Sequence, residues 1–147
     1  KKVTVIGRKE DSLTVFVKSM RNLLSKKNIS IEGINNNKLN VSPYIEEADL
    51  IINTTPIGMN SKNTKQENVP LGNEIWSCLS KNTILYDLIY TPRPTNWLKL
   101  GKQKNCFTID GLDMLVEQGA FSIRLWSGFY DVPVKTMKSS AEKQLIV

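Results

Sequence analysis

Thr83-Ile84-Leu85-Tyr86-Asp87-Leu88-Ile89 is the stretch on which the fold turns. It is short and apolar, it suits a pleated strand, and Pro92 and Pro94 stop it. Short apolar strands of this kind are buried on both faces, the pattern of a parallel sheet. Downstream, Thr95 to Leu100 reads as a short helix and Cys106-Phe107-Thr108-Ile109 as the next strand. Leu112 to Trp126 and Val134 to Leu145 read as the last two helices, divided by Pro133. Upstream, Leu50-Ile51-Ile52-Asn53 is a strand, and Ser42-Pro43 opens a short helix with serine as its cap. Val3-Thr4-Val5-Ile6 is the first strand, ending at Gly7. A helix capped by Asp11 or Ser12 then carries Leu13, Val15, Phe16, Met20, Leu23 and Leu24. Ile29-Ser30-Ile31-Glu32-Gly33 alternates as a second strand, and Asn35-Asn36-Asn37-Lys38 is a loop. Ser61 to Asn68 reads as a polar surface loop, and Leu71 to Leu79 as a short helix. Strands alternating with helices over short connections predict an α/β fold, a doubly wound parallel sheet with helices on both faces.

The chain has 147 residues, 40% of them hydrophobic and 23% charged, enough for one ordinary domain with a real core. No internal repeat and no dividing linker is visible. No apolar run approaches the ~20 residues of a membrane helix, so no membrane partner is expected. There is no histidine, which removes serine–histidine and cysteine–histidine catalysis and histidine metal sites from this chain. Cys78 and Cys106 form no metal-binding pattern; they point to thiols in a reducing cytoplasm, with no metal site. The glycines are scattered and no G-x-G occurs, so neither a dinucleotide phosphate loop nor a Walker loop is present. The formal charge is +6. All of that excess lies in residues 1–27, where Lys1, Lys2, Arg8, Lys9, Lys18, Arg21, Lys26 and Lys27 face only Glu10 and Asp11. Such an end suits an anion. A nucleic acid is not the expected partner, because no binding motif and no aromatic interleaving beyond Phe16 accompanies the cations.

Loops after strands carry the candidate chemistry, because open α/β sheets bind ligands at the carboxyl ends of their strands. Gly7-Arg8-Lys9 follows the first strand; it suits an adenosine 2′-phosphate or is a solvated basic turn. Asn53-Thr54-Thr55-Pro56-Ile57-Gly58-Met59 follows the third strand, as a ligand loop or as a turn satisfying its own backbone. Tyr90 lies past the fourth strand, positioned to touch a ligand or half buried against the following prolines. On a wheel of the helix from Leu112, Asp113, Glu117 and Arg124 form the wet face. Gln118 falls between Met114, Ser122 and Leu125, on the side expected to be covered, where its amide needs a partner.

Taken together, Asn53-Thr54-Thr55-Pro56-Ile57-Gly58-Met59, Tyr86-Asp87-Leu88-Ile89-Tyr90 with Pro92, and Asp110-Gly111-Leu112-Asp113-Met114-Leu115-Val116-Glu117-Gln118-Gly119-Ala120 with Trp126 and Gly128 closely resemble the carboxyl-terminal half of shikimate dehydrogenase. They occur in that family's order and spacing, and Val132-Pro133-Val134 resembles the approach to its final helix. The resemblance implies reduction of 3-dehydroshikimate to shikimate with NADPH, in aromatic amino-acid biosynthesis.

Residue by residue, the resemblance implies that Arg8 holds the NADP 2′-phosphate, with Lys9 beside it. The family's Asn-Arg-Thr triplet is here Gly7-Arg8-Lys9. Thr54, Thr55 and Pro56 would border the cofactor, Leu88 and Gly111 would meet its nicotinamide end through their backbones, and Met114 and Leu115 would pack near it. Tyr90 and Gln118 would touch the substrate. No catalytic residue is assigned, because the family's lysine–aspartate pair belongs to a substrate domain that no segment here matches. The resemblance also implies a partial NADP-binding domain over residues 1–128, without its first strand and glycine-rich loop, and a closing helix over 129–147 that packs back toward the substrate domain. The sheet is then expected to show a gap between the Lys2–Ile6 and Leu50–Asn53 strands, filled by the missing amino-terminal half or by another chain. A quinate/shikimate-type dehydrogenase and a non-catalytic nucleotide-binding module are the alternatives.

Overall fold

A computed structural model describes residues 1–36, 40–59, 69–72 and 75–145. It has the expected α/β character, with parallel pairing throughout its ladders. Two compact units divide the chain, Lys1–Glu47 and Ala48–Val147.

In the first unit, strands β1 (Lys2–Gly7) and β2 (Ser30–Asn35) flank helix α1 (Glu10–Ser25), and a short helix α2 (Ser42–Glu46) follows. β1 and β2 run parallel with Lys2 opposite Ser30 and Gly7 opposite Asn35. Leu13 and Val17 of α1 pack on Ile31, with Val5, Met20 and Leu24 around them. Gly33 makes this approach possible: a Cβ there would lie 2.8 Å from Leu13 Cγ. At the ladder's other end Lys2 Nζ meets Glu32 Oε1 at 2.8 Å, Thr4 Oγ1 donates to the same oxygen at 2.9 Å, and Lys2 also sits 5.4 Å from the Tyr44 ring centre.

Two caps differ from expectation. α1 starts at Glu10 after Lys9, and no side chain caps it, so Asp11 and Ser12 lie inside the helix. Glu10 and Asp11 in the first turn instead place negative charge at the helix's positive end. α2 begins after Val41, so Ser42 is not its cap; the Ser42 N–H itself donates to Asn40 Oδ1 at 3.0 Å.

In the second unit, strands β3 (Leu50–Asn53), β4 (Ile84–Asp87) and β5 (Phe107–Ile109) form a parallel sheet in that order. Asn53 lies opposite Asp87 in the register, and Tyr86 opposite Ile109. β4 is shorter than its apolar run, because the Ile89 N–H leaves the ladder for Asp87 Oδ1 at 3.2 Å. Helix α3 spans only Ile75–Cys78, and helix α4 spans Asn96–Gln103. Trp97, Leu98, Leu85 and Cys106 make the buried core between α4 and the sheet. Burial pushes the Cys106 thiol pKa up, and its Sγ lies 3.4 Å from the Ser80 carbonyl. Helices α5 (Leu112–Ser127) and α6 (Val134–Leu145) close the chain.

β1 pairs only with β2, and β3 only with β4, so each leaves one edge without a strand among the described residues. The β1–β2 and β3–β4–β5 ladders are two separate sheets. The loop expected over Ser61–Asn68, and Asn37 and Lys38 of the earlier loop, lie outside the described residues. No described helix is long and apolar enough to cross a membrane.

Candidate functional site

The parallel strands β3, β4 and β5 bring three loops to one edge of their sheet, the carboxyl edge. Thr54, Thr55 and Pro56 leave β3 there, Leu88 and Tyr90 leave β4, and Gly111, Met114 and Leu115 follow β5. Thr54, Thr55 and Pro56 are exposed, Leu88, Tyr90 and Met114 half-buried, and Gly111 buried. Arg8 and Lys9 are exposed at the equivalent end of β1, in the other unit.

Asp87 organises the edge from within. It is fully buried, and every polar contact to it comes from a donor. Asn53 Nδ2 donates to Oδ1 at 3.0 Å, the Ile89 N–H to Oδ1 at 3.2 Å, and Thr95 Oγ1 to Oδ2 at 2.7 Å. A buried carboxylate needs this many partners, since an unpaired one is costly. Thr95 is also the cap of α4, accepting the Leu98 N–H at 3.4 Å. Asn53 carries the order outward: its Oδ1 accepts the Thr55 N–H at 3.0 Å and Thr55 Oγ1–H at 2.8 Å. Its Nδ2 also donates to the Ile57 carbonyl at 3.1 Å, and the Ile57 N–H donates to Thr55 Oγ1 at 3.2 Å.

A second arrangement fixes the β5 exit. The Gly111 N–H donates to the Ile89 carbonyl at 3.1 Å, and a Cβ on Gly111 would fall 2.0 Å from the Leu88 carbonyl oxygen. Asp110 Oδ1 accepts the Leu112 N–H at 3.0 Å at the start of α5, while its Oδ2 pairs with Arg93 Nε at 2.7 Å. The backbones of Leu88 and Gly111 are thus held side by side.

Asn53, Asp87, Thr95, Arg93 and Asp110 had no role in the sequence reading. Two signals were there: a carboxylate ending an apolar strand needs buried partners, and a threonine just ahead of a helix caps it. Gln118 corrects an expectation. It is exposed, not covered; Leu112, Val116 and Ala120 are the buried residues of α5. The wheel gave the covered side to the apolar arc, but much of that arc faces water: Leu115 is 37% exposed, Phe121 65% and Leu125 71%. The expected wet face includes Asp113, which pairs with Lys138 of α6.

Residues 111–142 match the model of the shikimate 5'-dehydrogenase C-terminal domain. Over 144 residues the chain is 43% identical to the NADP(+)-dependent shikimate dehydrogenase of Prochlorococcus marinus strain MIT 9515, covering 98% of this chain and 48% of that protein. The chain thus matches the carboxyl-terminal half of shikimate dehydrogenases. It spans about half the length of the curated relatives it matches, 48% for the Prochlorococcus enzyme. The fold agrees with solved structures of family enzymes. Listeria monocytogenes shikimate 5-dehydrogenase in complex with shikimate and NAD superposes with a TM-score of 0.78 at 23% identity, over 96% of this chain and 47% of that one. Corynebacterium glutamicum quinate dehydrogenase in complex with NAD gives 0.77 at 23%, over 97% and 46%. At these identities the two structures establish the shared Rossmann-like architecture alone.

Proposed function

We propose that this chain is the cofactor side of an NADP-dependent shikimate dehydrogenase, working in the cytoplasm on 3-dehydroshikimate and shikimate, and that by itself it turns over neither. The observation that carries the reading is the carboxyl edge of β3–β4–β5. There the hydrogen-bonded Asn53–Ile57 loop, the closely packed Leu88 and Gly111 backbones and the start of α5 stand on neighbouring strands. That edge is where sheets of this class take their ligands.

The residues present fit NADP at its two ends. Arg8 and Lys9 are exposed cations suited to a 2′-phosphate, Arg8 through its two-pronged guanidinium. Thr54, Thr55 and Pro56 would border the cofactor, and Leu88 and Gly111 would meet the nicotinamide through backbone atoms, with Met114 and Leu115 packing beside it. When bound, NADPH supplies the hydride. The protein's part would be to meet the ring with the backbones of Leu88 and Gly111, which lie close together because Gly111 has no side chain. Tyr90, half-buried, and Gln118, exposed on α5, would contact the substrate. Residues 1–128 then act as the partial cofactor domain and 129–147 as the helix returning to the substrate domain. An amino-terminal half like that of the relatives, or another chain, would pair with the open edges of β1 and β3.

Titration with NADPH followed by shikimate oxidation tests the reading. The chain alone is expected to bind NADPH weakly and to show no turnover, because the sequence has no glycine-rich loop to cradle the diphosphate. Measurable shikimate oxidation by the purified chain would overturn the assignment of catalysis to the other half.

A further inference from the structure

We infer that Asp87 is a positioning residue that reinforces the polarity of the Thr54–Ile57 loop without touching a ligand. The side-chain amide of Asn53 has two possible orientations, and Asp87 reinforces the one that the Thr55 N–H and the Ile57 carbonyl also favour. Asp87 Oδ1 already accepts the Ile89 N–H, so the Asn53 NH2 is the group that suits it. With Nδ2 there, Asn53 Oδ1 faces the Thr55 N–H and hydroxyl, and the second Nδ2 proton reaches the Ile57 carbonyl. The opposite orientation would set oxygen against the Asp87 carboxylate and the Ile57 carbonyl, and NH2 against the Thr55 N–H. Those three contacts would become repulsive, and only the Thr55 hydroxyl could turn to accept. The order continues one step further: Thr55 Oγ1 gives its proton to Asn53 and takes the Ile57 N–H, so its hydrogen has one direction.

The same carboxylate holds Thr95, the cap of α4, through its other oxygen. Asp87 therefore couples the start of a core helix to the exposed loop that the proposed function places at the cofactor. The inference rests on that proposed function only for the identity of the ligand.

Amide hydrogen exchange by NMR on the 147-residue chain tests it. In Asp87→Asn only one oxygen remains, so the side chain cannot accept from both Asn53 and Thr95, and the loop loses one of its anchors. The Thr55 and Ile57 amides are expected to exchange about tenfold faster, beyond any change at Leu85 and Tyr86 in β4. The exchanged pair Asn53→Asp with Asp87→Asn presents a stronger, charged acceptor to Thr55 while giving up the contact to the Ile57 carbonyl. It should recover Thr55 protection to within about threefold of the original chain, which a general loss of packing would not do. Unchanged Thr55 and Ile57 in a folded Asp87→Asn chain, or a double variant no better than the single one, overturns the inference. Should Asp87→Asn not fold, the unaltered chain decides: both Asn53 side-chain amide protons must exchange slowly, and rapid exchange of both overturns it. The ligand is tested on a different signal. Millimolar NADP that shifts neither Thr54 nor Thr55 resonances overturns the cofactor role of the loop, while the exchange pattern still decides the role of Asp87.

Discussion

At Gly111 the chain passes so close to Leu88 that even a methyl group has no place. The obstacle is a carbonyl oxygen at 2.0 Å, which cannot turn aside as a flexible side chain would. Gly111→Ala must therefore push β4's exit and the start of α5 apart, breaking the Gly111–Ile89 hydrogen bond and straining the bond from the Leu112 N–H to Asp110. A loss of roughly 3 kcal/mol or more is expected in urea unfolding, well above an ordinary surface change. Asp87 marks the limit of reading residues singly. Its strand was plain from its apolar neighbours, but its partners Asn53 and Thr95 lie 34 and 8 positions away, and only the register of β3 on β4 and the turn into α4 bring them in. Gln118 failed for the related reason that whether an arc of a helix is covered depends on what packs there.

At the scale of elements, boundaries were legible where local chemistry sets them. β3 over Leu50–Asn53 and α6 over Val134–Leu145 match the expected spans, one an apolar run after Asp49, the other opened by Pro133. The start of α1 was missed because no side chain caps it. α6 contributes no buried residue, and ion pairs help hold it: Lys138 with Asp113, and Glu142 with Arg93 at 3.9 Å. The Asp113 hydrogen bond holds the Lys138 pKa above its ordinary value. These groups are partly exposed and open to screening, which shortens from about 10 Å at 0.1 M salt to about 3 Å at 1 M. Raising salt across that range should speed amide exchange through α6 by about two- to fivefold while the buried turns of α5 hold, as deuterium uptake would show.

The β1–β2 ladder has a pH dependence instead. Its Glu32 carboxyl is held below the usual carboxylate range, first by the Lys2 hydrogen bond and also by the Thr4 hydroxyl. A lowered pKa gives stability that is present above the ordinary value of 4.5 and disappears as pH falls through the folded value. Lys2 is raised above 10.5 by the same contact, so its share persists through neutral pH and is lost only in strong base. Between about pH 5 and pH 3 the melting temperature of the original chain should fall more steeply than that of Glu32→Gln. Parallel slopes would show that the pair adds nothing.

Across the whole molecule, the charge and the exposed apolar surface point in different directions. The +6 is confined to residues 1–27, and only Arg8 and Lys9 in it stand at a strand's carboxyl end. A compact phosphate suits that arrangement better than a long polyanion, so duplex DNA in about 0.15 M salt should give no mobility shift. The apolar excess lies elsewhere, on Phe121, Leu125, Trp126, Phe129 and Tyr130, each at least 65% exposed. Such a cluster is far more than a scattering of surface hydrophobes. The alternation of strands and helices was enough to recognise the architecture, whereas this exposed face was not legible, because the same residues in a longer chain would read as core.

That face carries its own optical label. Trp126 is 82% exposed while Trp97 is 1% exposed and Trp76 half-buried, so the tryptophans occupy contrasting environments. An aqueous quencher such as acrylamide will reach the indole on α5 and spare the one that α4 buries. Whatever comes to lie over the end of α5 will shift that emission to the blue and shield it, so the chain can report the arrival of its own covering without an added dye.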